Sequence, residues 1–445
     1  MSSPVLARSP LQSSRLRRTI LAYTVNRLGT WVGLVALMLA VFDHTHSAIA
    51  VAALLFAGQA LPAFVVPAVV ARVEASVRGR ELSGLYVFEA VVTTGLAVLL
   101  WHFSLPAILV LAALDGTAAL AASALLRAAV ARAARDHVEG EPRDDEGLDE
   151  AAHDAERRAN AVLNMAFAGT FVLGPVLGGA VVAAAGAPAA LFIDVGSFLI
   201  CSVLLLDLHP HVEEAGGNSV RERLRAAWTH INEAPSLRGL LLVEVFALVF
   251  FEAGAPIEVT YAKATLHAGD RGFGLLLTSW GAGAVLGSIV FARLVRRPLA
   301  AMLSAGTLAV GLGYLGFAAA PSLVLACVAA LIGGVGNGVE LPSLNSLVQR
   351  LTPQRLHGRV MGAVESLGAL SLAIGVPLGG ALVAASSPRL AFLIVGLGTA
   401  CTAAGLLRFA RRGPELAPDG EARTPTAGSS APLLRDAAPP DSASK

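Results

Sequence analysis

The sequence predicts an all-α membrane protein: twelve transmembrane helices in two pseudo-symmetric six-helix bundles. Three observations predict it. Of the 445 residues, 55% are hydrophobic and only 15% charged, with a mean hydropathy of +0.67, whereas a soluble domain carries about 25% charged residues. Apolar runs long enough to cross a bilayer, about 20 residues each, recur twelve times along the chain. Finally, the last two runs repeat the fifth and sixth.

The runs fall at 19–42, 48–71, 83–101, 105–130, 159–185, 188–206, 238–262, 273–294, 299–319, 322–347, 359–385 and 389–408. The first is preceded by Arg15, Arg17 and Arg18 and followed by "AIA" at 48–50, which resembles a signal-peptide cleavage site. It is too long for the apolar core of a signal peptide, and a second run follows at once, so it reads as a retained span. Residues 1–18 then form an N-terminal segment, 19–206 the first bundle, 207–237 a polar linker, 238–408 the second bundle and 409–445 a tail. The linker holds "SVRERLRAAWTHINEA", an amphipathic helix with Leu224, Trp228 and Ile231 on one face, suited to the membrane surface or the end of the bundle. The tail is rich in Pro, Ala and Ser and reads as disordered. Cys201, Cys327 and Cys401 all lie in apolar runs and read as small core side chains, not disulfides.

Charge sets the orientation. With the N-terminus inside, the inner segments carry 29 Lys and Arg, the outer loops only Lys263, Arg271 and Arg389, and Arg27 lies within the first span. Cytoplasmic loops concentrate such residues, so both termini are expected in the cytoplasm. Arginine almost wholly replaces lysine, and alanine is abundant, as in a GC-rich bacterial genome; a bacterial plasma (inner) membrane is the expected location. Residues 136–156 carry ten acids in 21 positions and read as a solvated loop.

The repeat is specific. "GPVLGGAVVAAAG" at 174–186 meets "GVPLGGALVAASS" at 375–387 with an offset of 201, and Arg158 meets Arg359. After a one-residue gap, Pro188, Phe192, Val195 and Gly196 meet Pro388, Phe392, Val395 and Gly396. The copies share one orientation, a parallel repeat about an axis along the membrane normal. Gly174/Gly178 and Gly375/Gly379 are small pairs one helical turn apart, as is Gly283/Gly287 in the eighth run; such pairs let helix backbones approach closely. With Pro175, Gly179, Pro377 and Gly380 they form a candidate packing and gating motif, read as a seam along which the two halves slide. The prolines bend their helices, which is tolerable where neighbouring helices surround the freed carbonyl.

From position 19 to 408 the chain resembles the major facilitator superfamily. "GPVLGG" matches the Gly-Pro-x-x-Gly-Gly core of the fifth-helix motif of its drug antiporters, although Gly169 sits one residue off the usual spacing. "RANAVLN" at 158–164, "LFIDVGSFLI" at 191–200 and "HGRVMGAV" at 357–364 resemble the macrolide-efflux and enterobactin-exporter branch of the drug:proton antiporters. The family's loop between the second and third helices, Gly-x-x-x-Asp-Arg-x-Gly-Arg-Arg, is degenerate here. "PAVVARVEASVRGREL" at 67–82 keeps Arg72, Arg78 and Arg80 as charge, lacks the Gly and Asp, and offers Glu74 in place of the acid. The resemblance implies alternating access, with the first, fourth, seventh and tenth helices lining a central cavity.

Eight acids lie in the spans: Glu89, Asp115, Asp194, Glu244, Glu252, Glu258, Glu340 and Glu365. An Asp at a helix centre costs on the order of 2.5–3.5 kcal/mol on insertion scales, so these acids should face water or each other. Asp115, Glu244, Glu252, Glu258 and Glu340 lie on the implied cavity helices, with Arg27 as a charge partner. Asp115 and Glu252, at mid-membrane by residue count, are the leading proton-coupling candidates, followed by Glu340 and Glu244. Glu89 and Glu365 read as gate or loop-pairing groups, and Asp194, outside the cavity set, as structural.

Other signals fall away. "GLGYLG" at 311–316 lies inside a span with no preceding strand, so it marks packing, not a dinucleotide loop. His44/His46 and His209/His211 lack a further set of ligands at metal spacing, and no Walker lysine follows a Gly-rich run. The expectation is a monomeric secondary transporter without metal, cofactor or nucleic-acid partner. It would export an amphipathic small molecule (drug, macrolide or siderophore-like) in exchange for protons across the lipid bilayer. An importer of a small nutrient, or a non-transporting sensor on the same fold, is the alternative; a polytopic membrane enzyme is a more distant one.

Overall fold

The computed structural model describes residues 14–66, 81–139, 145–206, 220–294, 296–353 and 356–412. Regular structure among them is entirely helical, and twelve helices are long and apolar enough to cross a membrane. Spans 1 to 6 are Ser14–Thr45, Ala48–Val66, Leu82–Leu99, Leu105–Leu126, Met165–Ala185 and Ala187–Leu204. Spans 7 to 12 are Pro235–Thr265, Gly269–Arg293, Leu299–Ala319, Leu323–Arg350, Arg359–Ala385 and Pro388–Arg408. The near end of the molecule is where span 1 begins; the far end is where spans 1 and 7 finish.

Two helices outrun the bilayer. The helix bearing span 4 continues to Glu139, and the helix bearing span 5 starts at Asp145. The latter has 41 residues, about 60 Å at 1.5 Å per residue, twice the ~30 Å of hydrocarbon. Most of the acidic segment 136–156 is therefore helical backbone beyond the near end rather than loop. The last helix runs to Arg412, so the first four residues assigned to the tail continue span 12. The degenerate motif at 67–80, including Arg72, Glu74, Arg78 and Arg80, lies outside the described residues, as do 1–13, 207–219 and 413–445.

Packing follows the repeat. Span 1 packs on spans 5 and 6 as span 7 packs on 11 and 12, and span 3 packs on 4 and 6 as span 9 packs on 10 and 12. The halves meet mainly where span 5 lies on span 8 and span 11 on span 2, two contacts that the pseudo-twofold exchanges. The linker helix, Val220–Glu233, packs on spans 7 and 11. Its Ile231 is buried in the near-end core of the second half, whereas Trp228 is exposed. Of the three residues expected on one face, Ile231 thus meets protein and Trp228 the surroundings, while the Leu224 side chain lies outside the described residues.

The glycines divide in the same way. Side chains at Gly174 and Gly178 would strike Trp31 and Val35 of span 1, and at Gly375 and Gly379 would strike the span 7 backbone at Val249 and Ala253. Both pairs therefore close packing within a half. The inter-half contact belongs to their neighbours. A Cβ on Gly179 would come within 2.8 Å of the Asp270 carbonyl and 3.0 Å of Gly274 Cα on span 8, and one on Gly380 within 2.7 Å of Ala52 Cβ on span 2. The expectation that Gly174/Gly178 and Gly375/Gly379 form the sliding seam is corrected on this point. Consecutive helical positions point about 100° apart, so adjacent glycines serve different partners. Gly283 and Gly287 abut span 10 in their own half, and Gly274 and Gly281 are the span 8 residues at the seam. Gly281 faces the carbonyl of Phe171, the one Pro175 deprives of its helical donor.

Candidate functional site

A cavity of about 430 Å³ opens inside the first half. Span 1 supplies Arg27, Thr30, Trp31 and Gly33; span 2 Gly58, Gln59 and Pro62; span 3 Thr93; span 4 Asp115 and Ser123; and span 6 Asp194. Leu372 of span 11 is the contribution of the second half. Arg27 and Asp115 both line this cavity. Glu244, Glu252 and Glu340 do not line this cavity, which is built from spans 1, 2, 3, 4 and 6 rather than 1, 4, 7 and 10.

The polar groups are held from behind. Thr93, buried on span 3, donates its hydroxyl to Asp115 Oδ1 at 3.0 Å. Ser197, one turn along span 6, donates to Asp194 Oδ1 at 3.2 Å. The Asp194 carboxyl fits against span 1 because Gly29 and Gly33 carry no side chain there. The Arg27 guanidinium lies 5.0 Å from the centre of the Phe167 ring, a cation–π arrangement. Trp31 stands edge-on to Phe171 at 5.1 Å, and its buried Nε1 has no hydrogen-bond partner among the described residues. The walls between these groups are apolar, including Leu34, Leu54, Leu96 and Leu191.

Two acids differ from their sequence reading. Asp194 lines the cavity instead of standing apart from it. Glu89 does not pair with a loop: it is fully buried in the middle of span 3, and neither carboxyl oxygen has a hydrogen-bond partner among the described residues. It lies within Coulombic reach of Asp115 and Asp194. A buried carboxylate with no compensating bond is strongly disfavoured, which sets Glu89 apart from the hydrogen-bonded Asp115 and Asp194. Its place in the middle of the span, visible in the sequence, was the available signal; the face it occupies was not.

The acids of the second half form a separate set. Glu340 accepts a 2.6 Å hydrogen bond from Thr307, and Glu244, also buried, lies within Coulombic reach of it. Glu252 is half-buried on span 7 against Gly375. Glu365 is exposed. At the far end, Lys263 of span 7 bridges the halves: its Nζ is 2.5 Å from Asp43 Oδ1 of span 1 and 2.5 Å from Asp270 Oδ1 of span 8.

The Major Facilitator Superfamily model matches residues 240–438. The multidrug efflux pump Tap of Mycobacterium tuberculosis is 28% identical over 278 residues, covering 60% of this chain and 64% of that protein. An uncharacterized MFS-type transporter of Bacillus subtilis, YfiS, is 29% identical over 239 residues, covering 51% of this chain and 57% of that one. The chain thus aligns with a little under two thirds of the length of these curated relatives. Among solved structures, the nucleoside transporter NupG superposes with a TM-score of 0.68 at 12% identity, covering 90% of this chain and all of that one. A bacterial homolog of the human lysosomal transporter Spinster, inward-facing and occupied, gives 0.66 at 13%, covering 90% and 97%. Those identities carry the fold alone. Twelve spans, the parallel repeat, the matched second half and relatives that are transporters agree: the chain is a multi-pass membrane protein that resembles the major facilitator superfamily, and within it the drug-efflux branch.

Proposed function

We propose that this chain is a secondary transporter that exports amphipathic small molecules by alternating access, coupled to protons. The observation that carries the reading is the cavity of the first half, where apolar walls surround Asp115, Asp194, Arg27 and an unpartnered Trp31 Nε1. A pocket with apolar sides and a few convergent polar groups suits an amphipathic ligand. The similarity to a multidrug efflux pump supports export, and the Asp43–Lys263–Asp270 link supports a state closed at the far end.

Within this reading Asp115 carries the proton. It lies at mid-span, touches the cavity and has one hydrogen-bond donor among the described residues, Thr93, which holds its position. Glu244, Glu252 and Glu340 are the rival set, on the other half. Arg27 is the charge partner of the cavity acids. The arginine asymmetry supports cytoplasmic termini in a bacterial inner membrane, and the protein acts as a monomer because each chain encloses its own cavity.

Two experiments test the reading. Growth inhibition by a panel of lipophilic compounds, with and without this gene, should show protection against a subset; no protection, together with uptake of a polar nutrient, would favour the importer. Impermeant thiol labelling of Glu213→Cys and Ser430→Cys in intact cells should leave both unmodified, and labelling of either would overturn the orientation.

A further inference from the structure

A second cavity, also of about 430 Å³, lies at the near end of the other half, among the ends of spans 8, 9 and 10. Its walls are of two kinds. Phe291, Leu299 and Met302 form an apolar side; Ser346, Gln349 and Arg350 form a polar one. The three polar residues are spaced i, i+3, i+4 on span 10 and so share one face. Arg350 is in the last turn of span 10 and Arg293 in the last turn of span 8, with Arg296 and Arg297 in the connection that follows. All four arginines are exposed. Among the described residues, no hydrogen bond or ion pair engages the side chains of Ser346, Gln349 or any of these arginines.

Donors without acceptors therefore meet an apolar hollow at the depth where the spans leave the membrane. A free phosphate would satisfy the donors but leave the apolar wall wet. A neutral lipid would cover the wall but leave the arginines unpaired. An amphiphile with an anionic head satisfies both, and basic pockets between transmembrane helices at this level are suited to such heads. We infer that this pocket binds one anionic phospholipid. Its phosphate lies on Arg350 and accepts from Ser346 and Gln349, and the first acyl methylenes run along Phe291, Leu299 and Met302. The neighbouring arginines raise the local positive potential. The site is separate from the transport cavity and does not depend on which side of the membrane the near end occupies.

Native mass spectrometry of the full chain in detergent tests this, with dioleoylphosphatidylglycerol and dioleoylphosphatidylcholine as probes. Wild type should retain the anionic lipid in preference to the zwitterionic one, and Arg350→Gln should reduce that preference about fivefold, the effect of one cation near an anionic head. Arg350→Lys should keep most of it. Arg408→Gln removes an exposed near-end cation on span 12 and should leave it unchanged. Excess glycerol 3-phosphate should not displace the lipid. Equal retention of the two lipids, wild-type preference in Arg350→Gln, an equal fall in Arg408→Gln, or displacement by glycerol 3-phosphate would each overturn the assignment. Thermal melting of each variant separates a lost site from a lost fold.

Discussion

The two halves share a skeleton and differ in what fills it. In each, a threonine on the third span of the half donates to a carboxyl on the fourth: Thr93 to Asp115 at 3.0 Å, and Thr307 to Glu340 at 2.6 Å. In the first half this pair opens on a cavity; in the second it is closed in, with Glu340 only 8% exposed. Beyond it the second half is packed with rings. Tyr261, Trp280, Tyr314, Phe317 and Phe392 interlock with centroid distances of 4.9 to 6.3 Å.

Spans 6 and 12 show how the difference arises. Their buried faces repeat at an offset of 201: Ala190, Leu191, Asp194 and Phe198 against Ala391, Phe392, Val395 and Thr399. A carboxyl in the first half thus stands where a valine stands in the second, and a leucine where the second half has its central phenylalanine. The one-residue gap of the sequence alignment instead pairs Asp194 with Ile394, which is 40% exposed. Burial gives the better register. Duplication supplied the helix packing, and a few side chains decided which half stays open.

The largest expected effect sets these counterparts against each other. Asp115→Asn keeps an acceptor for Thr93 but removes the titratable group; uphill export in proteoliposomes should fall by about tenfold or more, a barrier change of at least ~1.4 kcal/mol. Glu340→Gln, at the matching place, should change it less than about twofold. Equal losses would show that the halves share the coupling.

Next come the adjacent glycines. Gly179→Leu drives a side chain into the span 8 backbone at Asp270 and Gly274. It should stop transport while leaving the melting temperature nearly unchanged, since each half keeps its own packing. Gly178→Leu strikes Val35 within the half and should act mainly on stability, with an overpacking cost of about 1–3 kcal/mol. Melting curves beside transport rates would expose a reversed pattern.

A smaller effect is expected at the far end. Lys263→Met removes the link from span 7 to Asp43 and Asp270, a partly exposed pair worth no more than about 1 kcal/mol. Thiol labelling of Val51→Cys, buried at the far-end contact of span 2, should become faster in the variant. The smallest concerns Thr93→Val, which removes one hydrogen bond to Asp115, about 1 kcal/mol. Transport should slow only a few-fold, and an unchanged rate would mean that Thr93 does not position the acid.

Much of the fold was legible because its signals are one-dimensional: apolar length gives the spans, and the offset of 201 gives the duplication. The small residues were legible as close packing, but their partners were not. Gly178 and Gly179 are neighbours in sequence yet face different halves, and only the crossing of helices decides which. The site was half legible. Arg27 and Asp115 stood out as charges on implied cavity helices, and both line the cavity. Asp194 and Glu89 were charges of the same kind, but their part depends on rotation about the helix axis. Gly29 and Gly33 make the room for Asp194 from another span, a complementarity no local pattern displays. The closure of the second half rests on rings drawn from spans 7, 8, 9 and 12, which are distant in sequence.

Substrate-induced proton release from the purified protein decides whether the first half carries the coupling acid. A compound from the protective subset would be added in weakly buffered detergent solution to wild type, Asp115→Asn and the triple variant Glu244→Gln/Glu252→Gln/Glu340→Gln, with substrate binding measured in parallel. Asp115→Asn should bind substrate but release no proton, while the triple variant should release a proton as wild type does. Wild-type release from Asp115→Asn, with release lost in the triple variant, would contradict this and move the coupling to the second half.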